Sequence, residues 1–299
     1  MDALIWWVFV ALALALLGYY PRWRLARALA LPLPQPSLTI LQAKMAIYAR
    51  MPPDVQRQLQ RLVVQFLHQK KFIGCAGLVI TEEMRLTIAG QACLLLLNRP
   101  TRVYPMLNTI LVYPESFVVD RADVGPGGVI TATEDDLLGE SWGDGRVILA
   151  WDHVQSGAAD WTDGQNVVLH EFAHQLDSES GATNGAPFLG SAARYRRWAA
   201  VLSRDFAKLQ RDAFYQHQGV LDHYGATDPA EFFAVATETF FEKPQQMAQH
   251  HPELFAEFEK YYRVDPRAWL APPGLEPAIL ASPERLQGHA GCRSLTNIN

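Results

Sequence analysis

The 299-residue sequence predicts an α+β fold: a small mixed sheet, then a helical C-terminal half, all preceded by one N-terminal transmembrane helix. Three observations carry this reading. Short β-rich runs bounded by turn residues cluster between Leu78 and Trp151. Apolar residues spaced three and four apart dominate afterwards, the period of a half-buried helix. From Ala3 to Tyr20 every residue is apolar, Gly or Tyr.

The N-terminal run is eighteen residues long. As a helix it rises roughly 27 Å at about 1.5 Å per residue, close to the hydrocarbon thickness of a bilayer. Trp6, Trp7, Tyr19, Tyr20 and Trp23 sit near its ends, where amphipathic rings favour the membrane interface. Only Met1 and Asp2 precede it, so the positive n-region of a cleaved signal is missing. Arg22, Arg24 and Arg27 follow instead. By the positive-inside rule the expectation is a single-pass protein of the inner membrane with its main domain in the cytoplasm. Residues 1–21 are then the anchor, and 22–50, with Leu31-Pro-Leu-Pro-Gln-Pro36, a basic, Pro-rich linker.

Within residues 51–266, Pro52-Pro53-Asp54 opens a helix carrying Val55, Leu59, Leu62, Val63, Phe66 and Leu67 on one face. Leu78–Ile80 reads as a short strand, and Thr81 with Glu82 and Glu83 starts a helix through Leu96. Strands are expected at Thr109–Tyr113, Phe117–Val119 and Gly128–Ala132, then an acidic loop from Glu134 to Gly145. The β-rich run Arg146–Trp151 follows, either an edge to which an extended peptide adds as a strand or an ordinary inner strand. Three helices close the domain, marked by Tyr195, Trp198, Leu202 and Leu209, by Phe232, Val235 and Phe240, and by Leu254, Phe255, Phe258, Tyr261 and Tyr262. Residues 267–299, rich in Pro, Gly and small polar residues, read as a loose tail.

Composition excludes several functions. A net charge of −5 argues against a nucleic-acid surface, which needs clustered Lys and Arg. Cys75, Cys93 and Cys292 are odd in number and widely spaced, so neither a disulfide framework nor a cysteine metal site is indicated.

One motif carries chemistry. His170-Glu171-Phe172-Ala173-His174 is H-E-x-x-H, embedded in the apolar run from Val167. On a helix, residues four apart share a face, so both imidazoles reach one Zn2+ ion while Glu171 reaches a water beside it. A catalytic zinc takes three protein ligands, so a third comes from another element. Glu231, in Asp228-Pro229-Ala230-Glu231, suits a His₂Glu set, yet it also completes a capping box with Asp228 as N-cap. Glu238 on the same helical face and His223 compete for the role, and the residues alone leave it open. Asp177, one turn beyond His174, and Glu238 are candidates to hold a ligand imidazole from behind; for Asp177 an exposed helix end serves equally well. His68 lies near a helix C-terminus, where a cation is locally favoured, while His153, His217, His250, His251 and His289 show no ligand spacing, and surface positions are expected for them.

His170-Glu-Phe-Ala-His-Gln-Leu-Asp177, followed by Asp222-His-Tyr224-Gly-Ala-Thr-Asp-Pro-Ala-Glu231-Phe-Phe, resembles the Mlc titration factor A family of zinc peptidases. That family is similar in its catalytic part to the anthrax lethal factor metalloprotease domain. The resemblance spans roughly residues 50–265 and includes Leu111–Val119 and Tyr261–Pro266. It implies a zincin-like domain of gluzincin type, with Glu231 as the third ligand and Tyr224, seven residues earlier, beside the metal. Glu171 is then the general base and Tyr224 an oxyanion donor, acting on peptide or protein substrates, aminopeptidase substrates among them. Members sequester the glucose-responsive transcriptional repressor Mlc, so the resemblance also implies an alternative: a zinc-containing regulatory protein that binds a repressor without catalysis. The run at residues 3–20 is a departure, since the soluble enterobacterial members lack it.

Overall fold

The computed structural model describes residues 2–99, 102–115, 117–124, 130–137, 139–142 and 145–270, with backbone alone over most of residues 2–18 and over 117–142. The chain starts as one long helix, α1 (Asp2–Leu29), which runs through Pro21. Among the described residues no helix is long and apolar enough to cross a membrane. Most side chains of the expected anchor lie outside that description.

The stretch expected to be a linker is packed structure. Pro34 and Pro36 flank the start of α2 (Gln35–Lys44), and proline is well tolerated in a first helical turn. Leu33, Leu41, Met45, Ile47, Tyr48 and Met51 are all buried in the common core. Here the Pro-rich composition marked a helix start and not a tether.

Next come α3 (Pro53–Gln69), β1 (Lys71–Gly74) and α4 (Glu82–Leu94). The Thr81 side chain accepts from the Met84 amide and caps α4. The strand expected at Leu78–Ile80 lies seven residues earlier. Beyond Gly74 the chain reverses through Ala76 and Gly77, both at positive φ, and the Leu78 amide donates to the Cys75 carbonyl. A Cβ on Gly74 would sit 1.9 Å from the Leu78 carbonyl oxygen, so only glycine admits that reversal.

The sheet contains β1, β2 (Thr109–Tyr113), β6 (Arg146–Ala150) and β5 (Gly139–Trp142), in the order β1-β2-β6-β5. The first three run parallel and β5 pairs antiparallel with β6, so the sheet is mixed. A separate antiparallel hairpin joins β3 (Phe117–Val124) to β4 (Ile130–Leu137). One open alternative is decided and one expectation corrected. Arg146–Ala150 has β2 on one side and β5 on the other, so it presents no edge; β5, drawn from the supposed acidic loop, is the strand at that end of the sheet. Trp151 starts a further helix, α5 (Trp151–Ala159), before the motif helix α6 (Val167–Ser178). The apolar run and Gly157 had masked it.

The helical half consists of α7 (Ala192–Phe214), a 3₁₀ turn at His223–Ala226, α8 (Pro229–Glu242), α9 (Pro244–His250) and α10 (Pro252–Tyr262). Rings bind these together: Trp198 stacks on Phe258 at 5.4 Å between centroids, and Phe240 on Tyr262 at 5.6 Å. Phe172, on the face of α6 away from the histidines, meets Tyr104 at 4.8 Å and Phe66 at 5.6 Å. That burial fixes the rotation of α6 about its axis. Trp269 is also buried in this core, so packing continues past residue 266. Residues 271–299 lie outside the described residues, and most of the expected tail, with His289, falls there.

Candidate metal centre

Asn166 caps α6, its side-chain oxygen accepting from the Leu169 amide. One turn on, His170 and His174 point the same way, their Nε2 atoms 3.2 Å apart. Asp228 caps α8 by accepting from the Ala230 and Glu231 amides. The Glu231 carboxylate turns instead to the histidines, 2.9 Å from His170 Nε2 and 3.4 Å from His174 Nε2. The Glu231 side chain thus faces the histidines and not the helix cap.

His170, His174 and Glu231 form one group whose donor atoms all lie within 4.8 Å of one another. Ligands about 2.0–2.1 Å from a tetrahedral zinc lie about 3.3–3.4 Å apart, so the 2.9–3.4 Å separations suit an ion with little movement. The donor set fits too, two imidazoles and one carboxylate being a catalytic zinc set.

Burial and mutual hydrogen bonds set the electrostatics of this group. Burial disfavours a charged His170 ring, but hydrogen bonds to Glu231 and Glu238 outweigh it and push its pKa well above the usual histidine value. Burial likewise opposes ionisation of Glu231, yet its bonds to His170 and His174 pull its pKa down to about 2.

Behind it, Glu238 Oε1 lies 2.8 Å from His170 Nδ1. The other Glu238 oxygen accepts from the Asn166 backbone amide. Asn166 in turn donates from its side chain to Glu242 at 3.0 Å. Burial pushes the Glu242 carboxyl well up, against that hydrogen bond. Thus Glu238 supports the His170 ring and is not one of the three converging donors. Asn166 and Glu242 escaped the sequence reading, although Asn directly before an apolar helical run is a cap signal.

Asp177 is fully buried and not exposed. It does not bond His174; its Oδ2 accepts from the Gly185 amide at 2.6 Å and holds the loop after α6. His223 is also excluded, since its Nε2 donates to the His217 carbonyl. Its neighbour Tyr224 does reach the site, its ring 5.9 Å from that of His170, with the residue 57 % exposed. The 3₁₀ turn can lie this close because residue 225 is glycine: a Cβ there would meet Val235 at 3.1 Å and Leu209 at 3.3 Å. Glu171 is buried on α6 beside the two histidines.

Residues 20–263 match the family described as glucose-regulated metallo-peptidase M90. The chain belongs to this M90 family. A Synechocystis protein designated slr2042 is 41% identical over 267 residues, covering 87% of this chain and 97% of that one. Mlc titration factor A of Serratia proteamaculans is 34% identical over 235 residues, covering 77% and 88%. The Klebsiella pneumoniae protein of the same name is 32% identical over 233 residues, covering 77% and 87%. The M90 match begins at residue 20, so it takes in the packed α2 segment that the Pro-rich composition had disguised.

Proposed function

We propose that this M90 chain is a zinc-dependent peptidase of gluzincin type. The observation that carries the reading is the convergence of His170, His174 and Glu231 next to a buried Glu171. These three side chains would hold the ion. When bound, zinc lowers the pKa of water to about 7 and polarises a carbonyl. Glu171 takes the proton of the attacking water and returns one to the leaving amine. The Tyr224 hydroxyl donates to the developing oxyanion, and its exposure leaves it within reach of a substrate. Outer strand β5, which borders α6, offers backbone groups with which an extended peptide pairs. The deciding experiment measures metal content and peptide cleavage together. His170→Ala should lose the metal, whereas Glu171→Gln should keep it and lose cleavage; Glu171→Gln cleaving as fast as the parent would sink the reading.

A second reading is favoured by the relatives' name, Mlc titration factor A: a regulatory protein that binds a transcriptional repressor. Purified Mlc-type repressor captured equally by the parent and Glu171→Gln, and left intact by both, would support it. For placement in the cell, we propose that α1 tethers the domain to the inner membrane with the catalytic part in the cytoplasm. The apolar run at residues 3–20 and the arginines that follow support this. A reporter fused after residue 299 should then be active in the cytoplasm only, and periplasmic activity would refute the orientation.

A further inference from the structure

Away from the metal centre, a cavity of about 370 Å³ opens among the C-terminal part of α7, the segment 217–221 and the α9–α10 junction. Pockets for small ligands span about 300–1,000 Å³. Lys208, His217, His250 and His251 line this one, against a single carboxylate, Asp212. That carboxylate lies 3.9 Å from His217 Nδ1 and so is partly matched within the cavity wall.

His251, expected at the surface, is 7 % exposed. Its Nδ1 is held 2.8 Å from Asp205, which also receives Arg204 at 2.9 Å. Nδ1–H donates to that carboxylate, which fixes the ring; the second nitrogen, Nε2, is also a donor in the imidazolium form. Among the described residues Nε2 has no hydrogen-bond partner, and the ring lines the cavity. A buried imidazole is thus built in from behind and left to meet something in front.

We propose that this cavity binds a small phosphate-bearing ligand, its phosphate taken by Lys208, His250 and His251 and its body lying against Leu209 and Val220. A phosphate group carries about −1.5 to −2 charge and three strong acceptor oxygens, which matches several nitrogen donors better than a two-oxygen carboxylate does. The cavity is larger than a phosphate alone requires, so the ligand has a body. The same segment runs straight into the turn that carries Tyr224. The His217 carbonyl accepts from His223 at 3.0 Å, and Leu209 packs beneath Gly225. An occupant therefore stiffens the turn that places Tyr224. That regulatory consequence rests on the peptidase reading, whereas binding itself does not.

The test is calorimetric titration of the full-length protein with inorganic phosphate and, separately, glycerol 3-phosphate. Saturable binding is expected, tighter for glycerol 3-phosphate. It should persist in His170→Ala, which removes the metal centre as a competing locus. Lys208→Met and His251→Gln should each weaken it about tenfold or more, with unchanged circular dichroism and metal content. Lys208 is exposed, so its variant tests the site even if His251→Gln fails to fold. Absence of saturable binding by the parent, its loss in His170→Ala, or full-strength binding by Lys208→Met would each overturn the proposal. None of these outcomes depends on whether the protein cleaves peptides.

Discussion

Glu238 Oε1 meets His170 Nδ1 at 2.8 Å, on the opposite side of the ring from the nitrogen that faces Glu231. The carboxylate accepts from Nδ1 and fixes the ring with its Nε2 toward His174 and Glu231. Removing such a support typically costs about 10–100-fold in metal affinity. Glu238→Ala should fall at the upper end and Glu238→Gln, which still accepts from Nδ1, at the lower. Competition with a chromophoric chelator reads both; unchanged affinity in both variants would show that the contact is incidental.

Tyr224→Phe keeps the ring near His170 and deletes only the hydroxyl. If that hydroxyl stabilises the oxyanion, kcat should fall about 10²–10³-fold, with KM and metal content nearly unchanged. A variant with the parent's kcat would return Tyr224 to the role of a surface aromatic.

The motif helix was legible because two histidines four apart share a face of a helix, and Asp228 announced the cap of α8. The assignment between Glu231 and Glu238 was not legible. Seven apart, they share a face of α8, and one imidazole meets both of them, Glu231 at Nε2 and Glu238 at Nδ1. Which carboxylate faces which nitrogen depends on how α8 crosses α6. The linker was misread for a related reason. Prolines at 32, 34 and 36 describe local backbone, while the burial of Leu33 and Leu41 depends on distant partners. His251 looked unremarkable because its partner, Asp205, is 46 residues away.

Lys70 makes a pH prediction possible. Its Nζ donates to the Tyr104 and Leu107 carbonyls at 2.6 and 2.7 Å. Burial lowers its pKa from 10.5 to about 8, against a smaller opposing influence from Cys93. Between these values the unfolded chain binds more protons than the folded one, so this group makes stability rise with pH. The cost of burying the charge is fully present below pH 8 and disappears toward pH 10.5. Relative to Lys70→Met, the parent should gain stability across that window in urea unfolding. A difference independent of pH would refute the assignment.

Gly185 ties the end of α6 to the start of α8. Its amide donates to Asp177 at 2.6 Å and its carbonyl accepts from Trp198 Nε1 at 2.8 Å. Its φ is +76°, and a Cβ would lie 2.2 Å from the Pro229 carbonyl oxygen, two residues before Glu231. Gly185→Ala therefore incurs left-handed backbone strain, about 1–3 kcal/mol, and also pushes on the helix start that positions Glu231. Gly181 provides the control: its φ is +99°, but a Cβ there would meet nothing within 4 Å. Gly181→Ala should lower thermal stability while leaving metal affinity intact, whereas Gly185→Ala should lower both. Equal metal affinity in the two variants would mean that the Pro229 contact relaxes without moving Glu231, and that the loop after α6 plays no part in shaping the centre.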